Sequence, residues 1–548
     1  MVGLITFLVT LSGCSGPDSN HERFDRLADT TTIPVRITLL EEDGRPTPAM
    51  VCITDLNRGV PVVPPESAPT GSPTYPEIGF KGVPYRDDPH WMGPLRRMDG
   101  QVAVNGQRTY VYGDNPSLPY FADSLMYQVN STFQIRLAPG RYRISIQHGN
   151  EFIPIRKEFT VSDGPGKRVH EFVLKRWIDL PSRGWYSGDV HAHHLLDQPG
   201  HIRYLSQLAR AEDVHVVNML EMGDRENTYF RSPQFRQQAI CDGNYCLTFG
   251  QEEPRGRFGH VIGLNIDTLA RDTAHYDEYN RVFEKIHQSP VALAGFAHFA
   301  YRGEGVTPGM ALFAPDGRID FVELMQNTQV NLADYHDYLN MGFRIAAAAG
   351  SDFPWGSTVG DCRTFVYTGS DFSAARWFQE LKQGKSFVSN GPALFLEANG
   401  KMVGETLRLA EPDTVVVTAN ALSHEAIGSL DRIELYGSDG LLYRQQLSRT
   451  DSVHLEWPVY IERSQWLTAS LYCKNGAQAH TSPVYIQVHD QPVIHRGKLP
   501  ELVDKQIRLL EGIAREEQAL DRPDPAVLHL VDKAREFYMS LVTSGTTP

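Results

Sequence analysis

Trp185-Tyr186-Ser187-Gly188-Asp189-Val190-His191-Ala192-His193-His194 carries more structural information than any other stretch of the chain. It predicts a β-strand that ends with histidines two positions apart, His191 and His193. Side chains two apart on a strand point to the same face, so both imidazoles can reach one metal ion. A chain with 20 histidines contains roughly one such pair by chance, so the pair needs support from the rest of the sequence.

That support comes from acidic and imidazole side chains that recur at the ends of later apolar strands. They are Glu252, His260, His298 and Asp352. In folds built from parallel strands surrounded by helices, active groups gather at the carboxyl ends of the strands. The pattern therefore predicts a metal-dependent hydrolase built on a β/α barrel.

The region around these residues alternates between strand and helix patterns. Apolar runs predict strands at 214–220, 291–298, 319–325 and 345–350. Helical periodicity predicts helices at 202–211, 276–286, 332–339 and 372–381. Such alternation indicates parallel strands with helices outside, and we assign 179–392 to this domain.

The flanking regions have a different texture. Alternating residues predict an N-terminal β-sandwich over 31–178, interrupted by long Pro- and Gly-rich loops at roughly 61–120. Alternation returns after Asn390-Gly391-Pro392 and predicts a second sandwich of immunoglobulin type over 393–490. A charged helical segment follows at 491–548, with helices near 500–519 and 525–542. The fold class is thus multi-domain, α/β and β.

Composition narrows the classes of partner. The 548 residues carry 52 basic and 66 acidic side chains, a net charge of -14, and no basic cluster. Phosphate binding needs a cationic surface, so nucleic acid is not expected as a partner. The length predicts several domains.

The first 14 residues resemble a bacterial lipoprotein signal. Leu11-Ser12-Gly13-Cys14 matches the lipobox, which implies lipid on Cys14 and a tether over 15–30. The protein would then be exported and membrane-anchored in the periplasm or cell envelope. No Lys or Arg precedes the apolar stretch, which departs from the usual signal, and a buried strand is the alternative.

The other cysteines divide into two groups. Cys241 and Cys246 flank a turn-like sequence and predict a hairpin disulfide, with half of a zinc ribbon as the weaker alternative because no second pair exists. Cys52, Cys362 and Cys473 lie in apolar contexts and are predicted to be buried thiols.

Taken together, the ordered motifs resemble the CehA/McbA-type metallohydrolases of the polymerase and histidinol phosphatase (PHP) superfamily. The matching segments are Gly188-Asp189-Val190-His191-Ala192-His193, Gly250-Gln251-Glu252, Gly259-His260, Ala297-His298 and Gly350-Ser351-Asp352. The resemblance covers about 180–392 and extends to the β-domain, the 389–392 exit and the helical tail. It implies a distorted seven-stranded β/α barrel with divalent metals at its mouth.

The resemblance also implies a ligand set. One metal would be held by His191, His193, Glu252 and Asp352. Glu252 would bridge to a second metal held by His260 and His298, with Glu253 as the alternative to Glu252. Imidazole and carboxylate ligands suit Zn, Mn or Fe.

A third ion, which family members often carry, is not expected in this chain. Its histidine positions fall near Met219-Leu220 and at Pro354. We therefore predict a site for two divalent metal ions.

Further residues receive weaker assignments. His194 joins Glu252 and Asp352 in the predicted catalytic set. Either His194 or His201 would donate a proton to a leaving group or be solvated, and solvation is the favoured interpretation for His201. Glu323 is predicted to support a ligand or to form a structural ion pair. The residues predicted to line the substrate pocket are Asp224, Arg225, Arg302, Trp355 and Arg363, and an arginine among them would bind an anionic group or form a salt bridge.

The leading hypothesis is a hydrolase that activates water with two metals to attack an ester, amide, carbamate or phosphodiester bond of a small-molecule or glycan-type substrate. The alternative is a catalytically reduced binding protein of the cell envelope, which docks glycans or proteins. A nuclease or polymerase-editing module is a third reading, which the acidic charge and the export signal oppose. The oligomeric state is left open.

Overall fold

The computed structural model describes most of the chain. The described residues are 32–62, 79–80, 83–84, 102–104, 107–109, 127–164, 166–194, 196, 199–226, 228–229, 239–303, 305–353, 358–448 and 451–543. Cys14, the signal, the tether and most of the 61–120 loop region lie outside them. No described helix is long and apolar enough to cross a membrane.

The fold is multi-domain and mostly β, with several sheets and some helices. The N-terminal strands are β1 (Ile33–Glu41), β2 (Ala49–Asp55), β3 (Val60–Val62), β4 (Gly79–Phe80), β5 (Val83–Pro84), β6 (Val102–Val104), β7 (Gln107–Thr109), β8 (Tyr127–Val129), β9 (Thr132–Leu137), β10 (Gly140–Gln147), β11 (Ile155–Val161) and β12 (Val169–Leu174).

Two of these N-terminal sheets enclose one core. The first has the order β12-β1-β9 and the second β11-β10-β2-β3, with β8 also pairing β2. Alternate residues of β1, from Ile33 to Leu39, point inward and pack against Ile53 and Ile144 of the other sheet. This alternation is the one that the sequence predicted.

The central strands are β13 (Trp185–Ala192), β14 (Val216–Gly223), β15 (Thr228–Tyr229), β16 (Ile240–Asp242), β17 (Tyr245–Gly256), β18 (Gly259–Leu264), β19 (Leu293–Phe296), β20 (Phe321–Gln326), β21 (Gln329–Val330), β22 (Ala346–Ala349), β23 (Arg363–Tyr367) and β24 (Ser386–Ser389). The helices among them are α1 (Pro199–Ala211), α2 (Tyr279–Ile286), α3 (Val306–Phe313), α4 (Leu332–Asn340) and α5 (Ala374–Lys382). Short 3-10 turns lie at Pro181–Arg183, Phe299–Tyr301 and Ala314–Asp316.

The pairings of the central strands return toward their starting point. β13 pairs β14 and β14 pairs β17 in parallel, and β18 pairs both β17 and β19 antiparallel. β20 then pairs β19 and β22 in parallel. Beyond β22, Phe353 bridges Ala192 at the end of β13. The ends of β13 and β22 therefore lie side by side, although the seven-stranded barrel itself stays a prediction.

The predicted strands and helices of this region are present, but the region also contains strands that were not predicted, and β18 and β23 pair antiparallel with their neighbours. Helix α3 was not predicted, and Glu252 lies inside the long strand β17 instead of at a strand end. The parallel pairing of β17 with β14 nevertheless stops at Glu252, opposite Met222. From there β17 continues only as a hairpin with β18.

The C-terminal strands are β25 (Ala393–Ala398), β26 (Lys401–Met402), β27 (Thr406–Leu409), β28 (Asp413–Leu422), β29 (Leu430–Gly437), β30 (Gly440–Gln446), β31 (Ser452–Ile461), β32 (Gln465–Cys473), β33 (Gln478–Thr481) and β34 (Val484–Val488). Helices α6 (Leu499–Gln518) and α7 (Pro525–Thr543) follow, close to the predicted bounds.

The C-terminal strands form two layers. β26, β25, β28 and β31 make a four-stranded sheet, while the remaining strands continue the central sheet because β24 pairs β33. A shared apolar core fills the space between the layers. The immunoglobulin topology stays a prediction, and the predicted boundary at 392 is crossed by a continuous hydrogen-bonded sheet.

The cysteine predictions agree with the structure. Cys241 and Cys246 lie opposite each other on β16 and β17 and form a disulfide. Cys52, Cys362 and Cys473 are buried free thiols.

Candidate metal centre

The six predicted ligands meet in one buried cluster around Glu252. The Glu252 carboxylate lies 2.7 Å from His260 Nδ1, 3.5 Å from His191 Nε2, 3.3 Å from His193 Nε2 and 3.4 Å from His298 Nε2. Asp352 Oδ1 completes the cluster at 3.4 Å from His191 Nε2. Positions separated by up to 161 residues in sequence are thus brought together by the fold.

Two overlapping groups within this cluster have the geometry to hold a metal ion. The first is His191, His193 and Asp352, and the second is His191, Glu252 and His298. Each group offers ligand atoms within 4.8 Å of one another. Imidazole nitrogens and carboxylate oxygens at these separations suit a divalent cation of the Zn, Mn or Fe class.

Three imidazoles are oriented by acceptors on the side away from the cluster. Nδ1 of His191 lies 3.0 Å from Glu323 Oε1, and Nδ1 of His193 lies 2.9 Å from the Leu220 carbonyl oxygen. Nδ1 of His298 lies 2.9 Å from Gln326 Oε1. A proton on each Nδ1 leaves Nε2 as a lone pair that faces the carboxylates, which is how protein ligands are held for a metal.

Glu323 contacts two of the predicted ligands at once. It is fully buried, and besides His191 it accepts a hydrogen bond from the backbone N–H of His298 at 2.6 Å. The predicted supporting role of Glu323 therefore agrees with its contacts.

The loop that carries Asp352 is tied to β13 by a residue to which the sequence assigned no role. Asp189 is buried and accepts hydrogen bonds from the backbone N–H groups of His191, Ser351 and Gly360. Asp352 follows with φ 54, and His298 has φ 57, so both residues adopt the left-handed conformation. Strained backbone of this kind concentrates at functional sites.

The cluster favours positive charge. Burial opposes the charged form of His191, yet Glu323, Asp352 and Glu252 together raise its pKa well above its usual value. Burial likewise opposes protonation of His298, but the hydrogen bond with Glu252 and the charge of Asp352 raise its pKa to about 9. Burial would raise the pKa of Glu252, but His260 and His191 hold it well below its usual value. The same field would attract a cation.

Glu252, and not Glu253, belongs to the cluster. Glu253 points away and pairs with Arg271 at 3.1 Å, and burial raises its pKa to about 7. A bulge after Glu252 then shifts the register, so that Arg255 lies opposite His260. The Arg255 Nε atom lies 3.5 Å from Glu252 Oε2, a contact that no local sequence pattern indicated.

The other predicted residues lie in varied places. His194 and His201 are each only 2% exposed, so the alternative that these side chains are merely solvated is wrong. The ring of His194 lies beside those of Phe353, Tyr204 and His201, and its role as proton donor stays a prediction. Arg302 pairs with Asp334 at 2.9 Å and Arg225 with Asp277 at 3.2 Å.

For Asp224 and Trp355, the predicted place in the substrate pocket stays a prediction. The Asp224 carboxylate accepts from the Glu226 backbone N–H at 2.9 Å. Trp355 lies outside the described residues.

The sequence predicted Arg363 as a pocket residue, but the structure places its side chain in the protein interior. Its guanidinium is buried and donates to the carbonyl oxygens of Gly360, Asp213 and Glu212 at 2.6, 3.0 and 2.7 Å. These bonds occupy the side chain in joining β23 to the end of α1. A buried structural arginine and a pocket arginine give the same sequence pattern, which is why the two were not distinguished.

Comparison with known proteins does not identify a family. No family model and no curated protein matches the chain. Among solved structures, β-glucuronidase 3 of Bacteroides uniformis aligns at 11% identity and TM-score 0.17, covering 67% of this chain and 58% of that one. The β-glucuronidase of Parabacteroides merdae aligns at 10% identity and TM-score 0.17, covering 82% and 61%. The chain therefore spans about three fifths of the length of these structures.

Proposed function

We propose that this protein is a metal-dependent hydrolase that holds two divalent cations around Glu252. The observation that carries the proposal is the orientation of His191, His193 and His298, whose Nδ1 atoms each face an acceptor while Nε2 faces the carboxylates. A histidine that serves only to fill the core has no reason to lie with three other histidines around one carboxylate. Metal binding would account for this arrangement, because a histidine ligand is oriented by the hydrogen bond of its other ring nitrogen.

The proposed ligand sets follow the resemblance to the PHP superfamily. His191, His193, Glu252 and Asp352 would hold the first cation, and Glu252, His260 and His298 the second. All these residues except Asp352 and His260 are less than a tenth exposed, and those two are partly buried. A site of this depth strengthens electrostatic interactions because water is largely excluded.

When bound, the two cations would lower the pKa of a water molecule and polarise the substrate oxygen. The chain itself contributes orientation and charge. Glu323 and Gln326 hold the imidazoles, and Arg255 places a positive charge beside Glu252 at 3.5 Å. His194 is proposed as a proton donor to the leaving group.

The bond attacked is proposed to be an ester, amide, carbamate or phosphodiester of a small-molecule or glycan-type substrate. The expected position of a third-ion histidine is taken by Met219 and Leu220, which pack in apolar clusters. One clamp on phosphate oxygens is thereby lost, which disfavours a phosphomonoester.

A panel of model substrates tests this proposal. The purified protein, loaded with Zn, Mn or Fe, should hydrolyse at least one carboxylic ester, carbamate, amide or phosphodiester, and Glu252→Gln should abolish the activity. Turnover of phosphomonoesters alone would refute the choice of bond. Absence of turnover with every class would leave the binding protein as the better reading.

Export with lipid on Cys14 is proposed as well. The disulfide between Cys241 and Cys246 supports it, because disulfides persist in oxidising compartments. Labelling with a radioactive fatty acid in a bacterial host should mark the wild type and spare Cys14→Ser. Equal labelling of both would exclude Cys14 as the anchor.

A further inference from the structure

A cavity lies away from the metal cluster, where the start of β13 meets the four-stranded C-terminal sheet. Its volume is about 520 Å³, and its lining includes Arg183, Trp185, Tyr367, Phe395, Glu397 and Asn420. Cavities of this size accommodate small organic ligands. Trp185 and His191 are six residues apart on β13, so roughly 20 Å separates the two sites at the rise of an extended strand.

One wall of the cavity is a row of side chains across three strands. Phe395 of β25 lies opposite Asn420 of β28, which lies opposite His454 of β31. His454 Nδ1 and Asn420 Oδ1 are 2.7 Å apart, which fixes both side chains. Glu397 extends the same face of β25 and is exposed. The row therefore offers an aromatic ring flanked by an amide, an imidazole and a carboxylate.

Aromatic rings adjoin this row at Phe395. Trp185 lies with its ring centre 5.4 Å from that of Tyr367 and 5.5 Å from that of Phe395. Trp185 is only 6% exposed, and Tyr367 and Phe395 are half-buried. Tightly held rings present apolar faces without losing conformational entropy when a ligand binds.

The indole N–H of Trp185 has no acceptor among the described residues, and its nitrogen atom is not fully buried, although the residue as a whole is 6% exposed. Three other indoles have an acceptor within the protein, whereas the indole of Trp457, 8% exposed, has none among the described residues. Trp177 donates to the Asn150 carbonyl at 2.7 Å, Trp377 to the Tyr186 carbonyl at 2.9 Å and Trp466 to Asn340 Oδ1 at 3.0 Å. The Trp185 indole N–H is therefore free to donate to an acceptor on a ligand in the cavity.

We propose that this cavity binds a saccharide. Sugar hydroxyls donate and accept, and the lining supplies both functions: Trp185 and Arg183 donate, Glu397 accepts, and the side-chain amide of Asn420 offers both kinds of group. The C–H faces of a sugar ring would pack on the aromatic rings. Because Arg183 and Glu397 offset each other in charge, a neutral saccharide fits better than a phosphate or a polyanion.

Titration calorimetry with the full-length protein tests the proposal. The probes are cellohexaose, xylohexaose, maltohexaose and chitohexaose, and we expect at least one to bind with a Kd of about 1 mM or tighter. Phe395→Ala and Glu397→Gln should each weaken that binding by roughly tenfold, a loss of about 1.4 kcal/mol. Tyr460→Ala is the matched control, because Tyr460 is a 64% exposed aromatic on β31 of the same sheet.

If Phe395→Ala does not fold, Arg183→Ala and Glu397→Gln carry the test, since both side chains are exposed. Binding that resists EDTA and falls in the cavity variants supports the proposal. No binding by any probe, binding unchanged in the variants, or binding lost with EDTA overturns it. None of these results depends on whether the metal cluster is a hydrolase.

Discussion

At the scale of single residues, the candidate metal centre depends on neighbours that aim its ligands. The strand spacing of His191 and His193 was sufficient to predict that both side chains share a face. The acceptors behind them were harder to predict. Gln326 and Asp189 act through contacts with distant strands, at His298 and Ser351, which no local pattern contains.

The role of Glu323 can be tested by a charge-neutral replacement. Glu323→Gln keeps the shape but weakens the acceptor for His191 Nδ1 and the His298 N–H. We expect metal affinity to fall by roughly 10- to 100-fold, the usual effect of losing such support. Competition with a chromophoric chelator measures it, and Glu284→Gln on the exposed face of α2 is the control. Equal affinity in both variants would remove Glu323 from the site.

A substitution at Gly350 tests the packing behind the metal cluster. A Cβ at this position would lie 2.4 Å from His191 Cβ and 2.5 Å from Glu323 Oε1. Gly350→Ala should therefore displace the cluster and lower both metal content and thermal stability. Gly512→Ala is the control, because nothing lies within 4 Å of its added Cβ and alanine favours a helix by about 1 kcal/mol. Full metal content in Gly350→Ala would contradict the described packing.

At the scale of elements, periodicity predicted four of the five described helices of the central region and its strands β13, β14, β19, β20 and β22. Helix α3 was missed because six of its eight residues are buried, so no polar face marks the helical period. The extent of β17 was missed because its second half pairs only with β18 beyond Glu252. The local sequence pattern does not show that two paired strands extend beyond the edge of the sheet.

The junction between α1 and the segment before β23 gives a pH prediction. Glu212 is fully buried and accepts from Thr358 Oγ1 at 2.7 Å, and burial raises its pKa to about 7. Its ordinary pKa applies in the unfolded chain, so its contribution to stability is complete below about pH 4.5 and is lost as the pH rises through 7.

Glu212→Gln mimics the protonated acid and removes this loss. Relative to wild type, the variant should gain roughly 2–3 kcal/mol in unfolding free energy between pH 4.5 and pH 8. Urea unfolding of both proteins across that range measures the difference, in which the other titrating groups cancel. A constant difference at all pH values would show that Glu212 ionises normally.

At the scale of the whole molecule, the central and C-terminal regions depend on each other. Phe387 of β24 pairs with Thr481 of β33, and the Ser482 hydroxyl accepts from the Ala347 N–H at 2.9 Å. The sequence indicated a boundary at 392 from the change in periodicity. It did not indicate that hydrogen bonds cross that boundary, because strand pairing between distant segments leaves no local trace.

Truncation tests this dependence. A fragment of residues 32–392 would expose the edge of β24 and the apolar surface that Trp466 and helix α6 cover. Exposed edges and apolar patches promote aggregation, so we expect the fragment to be insoluble or to lack a cooperative thermal transition. A soluble fragment with a sharp transition near that of the full chain would show independent domains.

Metal stoichiometry by inductively coupled plasma mass spectrometry is the most direct test of whether the cluster around Glu252 binds two cations. We expect two tightly held ions of Zn, Mn or Fe per chain after reconstitution. We also expect loss of one or both ions in His191→Ala and His298→Ala, with the fold retained. A folded protein that stays free of metal after exposure to all three would show that the cluster is not a metal centre.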